Sequence, residues 1–270
     1  MKTSAYEMVM RRRSRYVLLK ARKAFGVNSN PVLAKNILYI PIPKNANSYF
    51  TSIFIYNDNN CKDFDPRKES AIQYWERTKN HSTRYRSLIP PRLNKKIKQR
   101  FVIVREPGNR IVSCFVDKFV KINQKSIVYA EVSKVLAKKI RPEQFTFRDF
   151  IKFVEAIPER FRNPHYSTQA TFIPKDIREE ELFRLEDGRR IEKFLVENGF
   201  DFPPNPEDFT PSARKVTEYS ELEMPVADMP VCKLRDLSRL PCQKSFLTSD
   251  LKKSLDRIYK EDFDIYNRMT

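Results

Sequence analysis

Two short apolar runs, "NILYIPI" at 36–42 and "RFVIVRE" at 100–106, constrain this chain more than any other feature of it. Each is aliphatic, bounded by polar residues or proline, and as long as a strand buried on both faces of a parallel sheet. A helical pattern follows each at once. After the first comes "NSYFTSIFIYN". After the second comes "PGNRIVSCFVDKFVKI", where Ile111, Val112, Phe115, Phe119 and Val120 recur at near-helical spacing and Pro107 suits a first turn. Strand, tight turn and helix, repeated, predict an α/β fold with a central parallel sheet flanked by helices.

The later segments fit around such a sheet. "FTFRDFIKFVEAI" (145–157) reads as an amphipathic helix, and "EELFRLEDGRRIEKFLVENGF" (180–200) as strand, turn and helix with Gly199 as C-cap. The Pro-rich stretch 201–230 reads as a long surface loop. "TSDLKKSLDRIYKEDFDIYNRM" (248–269) opens on capping residues and keeps Leu251, Leu255, Ile258, Phe263 and Tyr266 on one broad face, which predicts one packing helix. With 270 residues, 40% of them hydrophobic, the chain can build one large core. The division expected is a basic helical extension over 1–30 and a single domain over 31–270.

Charge narrows the partners. Lys plus Arg number 52 against 34 Asp plus Glu, a formal charge of +18, and this favours an anionic partner without choosing among nucleotide, nucleic acid, acidic glycan and lipid headgroup. The N-terminal segment "MKTSAYEMVMRRRSRYVLLKARKAFG" lacks the uninterrupted apolar run of a signal peptide or membrane anchor, so the chain reads as soluble and cytoplasmic. As a basic amphipathic helix the same segment offers a peripheral membrane contact. Cys61, Cys114, Cys232 and Cys242 show no metal-ligand spacing, and a reduced compartment is the default, with Cys232 and Cys242 alone placed to pair.

The chemistry concentrates where the two runs end. In an open parallel sheet, ligands settle beyond the carboxyl ends of strands, where the next helix presents unpaired N–H groups and the positive end of its dipole. Lys44, Asn45, Ala46, Asn47 and Ser48 occupy such a joint, so backbone donors, an ammonium and a hydroxyl can surround an anion. No G-x-x-x-x-G-K-[ST] occurs, which counts against a kinase. At the second joint, Arg105 is the first charged residue after "FVIV" and Ser113 lies two turns into the following helix, a guanidinium and hydroxyl suited to a second phosphate rather than a metal.

Together the joints resemble a family. "PKNANSYF" resembles the 5′-phosphosulfate loop of the sulfotransferases that use 3′-phosphoadenosine 5′-phosphosulfate (PAPS), and "FVIVREPGNRIVSCFVDKF" resembles their 3′-phosphate motif. "NPHYSTQATFI", "LFRLEDGRRIEKFL" and "IYKEDFDIYN" resemble segments of the carbohydrate, Golgi-type branch, family 2-like. The resemblance covers about residues 36–266. It implies a P-loop-like three-layer sandwich, PAPS as donor, no metal, and a carbohydrate or other hydroxyl-bearing acceptor. Lys44 would contact the bridging oxygen and sulfuryl group, and Asn45, Ala46, Asn47, Ser48 and Tyr49 would wrap the 5′-phosphate. Arg105 and Ser113 would hold the 3′-phosphate. Asn45 and Asn47 depart from the smaller or apolar residues usual in that loop. An anchorless chain departs from the Golgi branch, where the luminal location would need a leader or anchor trimmed away.

A base must still deprotonate the acceptor. His81 lies between the two motifs, where related uronyl-type sulfotransferases carry a catalytic histidine, and its type suits proton transfer near neutrality. His165, grouped with Gln169 in "HYSTQ", either serves as base or orders the site, and Glu76 is a third possibility. Arg214 and Lys215 read as a basic loop that could cover the donor, and Glu186 with Asp187 as an acidic strand end or a helix cap. A polyanion or nucleic-acid binder without catalysis remains the competing class, although no helix-turn-helix, zinc finger or RNP signature occurs.

Overall fold

In the computed structural model, the structure describes residues 31–78, 96–121, 126–137, 139–202, 219–220 and 224–269. The expected extension 1–30, His81, Arg214 and Lys215 lie outside them. Four strands form the main sheet in the order β1 (Val32–Ala34), β2 (Ile37–Ile40), β3 (Gln99–Val104), β4 (Leu182–Arg184). Strands β2, β3 and β4 run parallel, with Tyr39 beside Phe101 and Ile103 beside Phe183. Strand β1 adds an antiparallel edge to the expected parallel sheet. It pairs antiparallel with β2 through a two-residue turn at Lys35 and Asn36, whose φ values are 46° and 64°, the left-handed pair that two-residue hairpins require.

Side chains alternate across this sheet, as the period-two geometry of strands dictates. Ile37, Tyr39, Phe101, Ile103 and Phe183 face one side, where they pack with α1 (Asn47–Tyr56), α2 (Ala71–Thr78) and α6 (Gly188–Glu197). Leu38, Ile40, Val102, Val104 and Leu182 face the other, against Phe172 and against Ile265, Tyr266 and Met269 of the C-terminal segment. The sheet is therefore the middle of three layers, and α/β is the observed class. A third cluster gathers around α3 (Pro107–Phe115), α4 (Ser126–Val135), α5 (Phe147–Ala156), α7 (Val231–Arg235) and α8 (Ser249–Ile258), with Phe115, Phe119, Phe145 and Phe150 in mutual ring contact.

Two helices differ from expectation. The pattern after β3 is not one α-helix, because α3 passes into a π-helical stretch over Val116–Lys121. The C-terminal helix is two: α8 ends at Tyr259, whose φ of −118° and ψ of 28° leave the helical region, and α9 (Lys260–Arg268) starts afresh. The buried Tyr259 hydroxyl donates to Tyr166 O at 2.6 Å, and satisfying that polar group fixes the bend. Gly199, with φ of 77°, ends α6 as expected. Within 201–230, the described part includes β5 (Tyr219–Ser220), paired with β6 (Leu240–Pro241). All four cysteines are free thiols, so Cys232 and Cys242 do not pair. No helix among the described residues is long and apolar enough to cross a membrane.

Candidate functional site

The loop between β2 and α1 lies at the carboxyl edge of the sheet. Lys44 and Ala46 take left-handed backbone conformations, φ 73° and 53°. Ala46 is the N-cap of α1 and supplies no side-chain acceptor, and the first turn holds no acidic residue. Ala46 therefore gives the first N–H groups of the helix no side-chain cap. Their dipole and the turns at 44 and 46 favour an anion here.

Three successive residues of this loop are tied to the β3–α3 joint. Arg110 Nε donates to Pro43 O at 3.1 Å, Arg105 Nη1 to Lys44 O at 3.1 Å, and Asn45 Nδ2 to Ile103 O at 2.7 Å. The two joints read separately from the sequence are therefore one structure. Gln169 strengthens the union: its Oε1 accepts from Asn45 Nδ2 at 2.6 Å and Arg105 N at 3.1 Å, and its Nε2 donates to Arg105 O at 2.8 Å. Helix α3 starts on Pro107 with Glu106 as N-cap, the carboxylate accepting from Gly108 N and Asn109 N.

Lys44 is only partly exposed, and its Nζ sits 3.1 Å from Asp117 Oδ2. Burial pulls the ammonium below the usual lysine range, while the charge and hydrogen bond of Asp117 push back toward it. Asp117 stands in the first turn of the π-helical stretch, four residues after Ser113 and seven after Arg110. That spacing puts Arg110, Ser113 and Asp117 on one helix line facing residues 43–45. Ser113 is half-buried between the two residues that touch the loop.

The remaining expected residues sort by environment. Asn45 is fully buried, so only its backbone can meet a ligand, while the half-buried Asn47 accepts through Oδ1 from Tyr39 Oη and Thr51 Oγ1, both at 3.3 Å. Ala46 and Tyr49 pack against the sheet cluster, and burial first, then the charge of Glu192, raises the Tyr49 phenol above its usual range. Glu76 is exposed on α2, a solvated helix face. Asp187 caps α6 by accepting from Arg190 N, and Glu186 accepts from Glu106 N and the Tyr266 hydroxyl. His165 lies at the site. Burial, then the nearby charges of Lys118 and Lys44, push its imidazole down to about 4, and its Nδ1 is 2.8 Å from Asn163 Oδ1.

Arg110 and Asp117 escape a reading by strand ends. Arg110 is almost wholly buried and, among the described residues, bonds the backbone carbonyls of Pro43, Ser167 and Pro164. Their three- and four-residue spacing about Ser113 was the available signal. The resulting edge offers an ammonium, a guanidinium, a hydroxyl and uncapped helix N–H groups, a donor set that can hold two anionic groups side by side. Residues 33–189, more than half of the chain, match a protein-family model described as the sulfotransferase family. No curated protein and no solved structure matches the chain.

Proposed function

The chain belongs to the sulfotransferase family, and from that premise we propose that it transfers a sulfuryl group from PAPS to a hydroxyl of a carbohydrate or glycoconjugate, by in-line displacement that needs no metal. The observation that carries the reading is the direct tie between two cationic strand tips, Arg105 Nη1 on Lys44 O. Two anion-binding loops held in contact suit one ligand with two phosphates, and a 3′-phosphate is what separates this donor from ATP. The residues fit such a ligand because the start of α1 has no side-chain cap and no acidic first turn.

When bound, PAPS supplies the sulfuryl group and a phosphate leaving group. The backbone of residues 45–48 and the Ser48 hydroxyl hold the 5′-phosphate, and Arg105 with Ser113 holds the 3′-phosphate. Lys44 has to carry its proton to stabilise negative charge on the bridging oxygen, and its position in a partly desolvated place makes that charge count for more than it would in water. Positioning and electrostatics, rather than covalent work, dominate such a transfer. The acceptor's proton goes to His81 in this reading. His165 is the second candidate base; a pKa near 4 leaves its imidazole neutral at pH 7 but makes it a weaker proton acceptor than an ordinary histidine.

The test is thermal. Adenosine 3′,5′-bisphosphate should raise the melting temperature at micromolar concentration, by about 2.7 kcal/mol of stabilisation at a hundredfold excess over Kd, and ATP should do so weakly. Equal shifts from both would remove the 3′-phosphate pocket. Lys44→Ala and Arg105→Ala should each lower transfer of labelled sulfate by about 100-fold or more in a folded chain. Binding that ignores the nucleotide and falls steeply with salt would instead favour a polyanion binder.

A further inference from the structure

Gln169 begins a 3-10 turn, Gln169–Phe172, and is fully buried. Its single carboxamide bonds both anion-binding loops, Asn45 in the first and the backbone of Arg105 in the second. Gln169 therefore adds a second link to the direct bonds that already join the two loops. What holds Gln169 is Asp262, ninety-three residues away in the first turn of α9. Asp262 Oδ2 accepts from Gln169 N at 2.8 Å and Oδ1 from Ala170 N at 2.9 Å. Asp262 has no exposed surface, and it lies beyond the residues 33–189 that define the family match.

A carboxylate is a costly side chain at such a place, since burying its charge is unfavourable unless hydrogen bonds compensate. An aliphatic residue would pack there without that cost but could not accept from two adjacent N–H groups. The carboxylate's specific contribution is therefore to fix the start of the 3-10 turn, and with it the direction of the Gln169 side chain.

We propose that Asp262 is a positioning residue which, acting through Gln169, fixes the relative position of the two anion-binding loops. Its consequence for the donor rests on the sulfotransferase reading above; the strut itself rests on the hydrogen bonds. Loss of either member should leave the loops at 43–48 and 105–109 joined only by the direct bonds of Arg110, Arg105 and Asn45, and so loosen the grip on a ligand that needs both.

Protonation of Asp262 should have the same effect, because a carboxylic acid turns a proton toward one of the two N–H donors. Burial raises its pKa to about 6, the Arg110 charge from α3 and the two N–H groups oppose this, and Glu159 from the turn Glu159–Phe161 adds to it. Tyr259, at the start of α9, directs its hydroxyl to Tyr166 O.

The experiment compares wild type, Asp262→Asn and Gln169→Ala by amide hydrogen exchange and by binding of adenosine 3′,5′-bisphosphate. In both variants exchange should quicken at 43–48 and 105–109 while α5 keeps its protection. Bisphosphate affinity should fall about tenfold, and the donor KM should rise with little change in acceptor KM. In wild type the affinity should weaken as pH falls from 7 to 5, and in Asp262→Asn that dependence should flatten. If Asp262→Asn does not fold, Gln169→Ala carries the test, since it removes the clip and leaves Asp262 bonded to the turn. Unchanged exchange in the two loops of a folded variant would overturn the proposal, whatever the nucleotide does. Altered exchange in a protein whose wild type ignores the bisphosphate would support the strut and overturn the donor assignment instead.

Discussion

Lys44 and Ala46 hold left-handed conformations in a loop with no glycine, a strain of about 1 kcal/mol each for residues bearing a Cβ. The ties at Pro43, Lys44 and Asn45 show what resists it: two side chains of the β3–α3 segment, Arg110 and Arg105, bond Pro43 and Lys44, and Asn45 bonds back to that segment. They also explain the asparagines that set this loop apart from its resemblance. Asn45 and Asn47 use their side-chain amides to bond within the fold, so these residues brace the loop. Asp117 is the residue on which Lys44 depends. Its charge and hydrogen bond both raise the Lys44 pKa against burial, which lowers it. Asp117→Asn should therefore lower that pKa further, and because Lys44 must be protonated to work, the alkaline fall of the transfer rate should begin at lower pH than in wild type. A pH–rate profile checks this, and an alkaline limb that stays in place would show that Asp117 does not govern Lys44.

Elements are placed by what joins them, and β3 and β4 are joined by more than their ladder. Arg100, on β3, donates to both oxygens of Glu181 in the 3-10 turn before β4, from Nε to Oε1 at 3.3 Å and to Oε2 at 3.1 Å and from Nη2 to Oε2 at 2.8 Å, and both side chains are almost wholly buried. Glu181 also accepts from Arg100 N and Arg178 N, and these bonds hold its carboxyl below the usual range against burial. Removing one partner of a buried pair strands the other, so Glu181→Ala should destabilise the fold by about 3 kcal/mol, somewhat less if Asp176, 2.9 Å from Arg100 Nη1, takes up the charge. Denaturant unfolding measures it, and a loss under about 0.5 kcal/mol would mean the pair behaves as a surface one. Of these elements, β2, β3, α5 and α6 were legible because each buries a full periodic face. Strand β1 was not, being three residues long with a Lys-Asn turn in place of the usual Asn-Gly. Nor was the π-helical stretch, since Phe115, Phe119 and Val120 suit either winding. Lys44 and Arg105 were legible as strand-end residues, whereas the Asp262–Gln169–Asn45 chain spans bonds that no local period records.

At the scale of the whole molecule, two titrations, of half-buried His165 and buried Asp262, oppose each other on a scaffold of charge +18. His165 has its pKa lowered from 6.5 to about 4, chiefly by burial. The unfolded chain protonates it first, so its contribution to stability is present above pH 6.5 and is lost as pH falls toward 4. Asp262 is shifted the other way, from 3.8 to about 6, so its contribution is present below pH 3.8 and is lost as pH rises through 6. Over the same window one group makes the protein more stable with rising pH and the other less. Their near cancellation predicts a flatter profile than either alone would give. His165→Asn removes one side of the balance. Relative to that variant, wild type should lose melting temperature steadily from pH 6.5 to 4.5 and keep a constant difference above pH 7. The strongly paired Asp250, held at about 2, titrates below this window and is common to both proteins. A difference that stays constant from pH 4.5 to 7.5 would show that His165 is not held neutral beside Lys44 and Lys118.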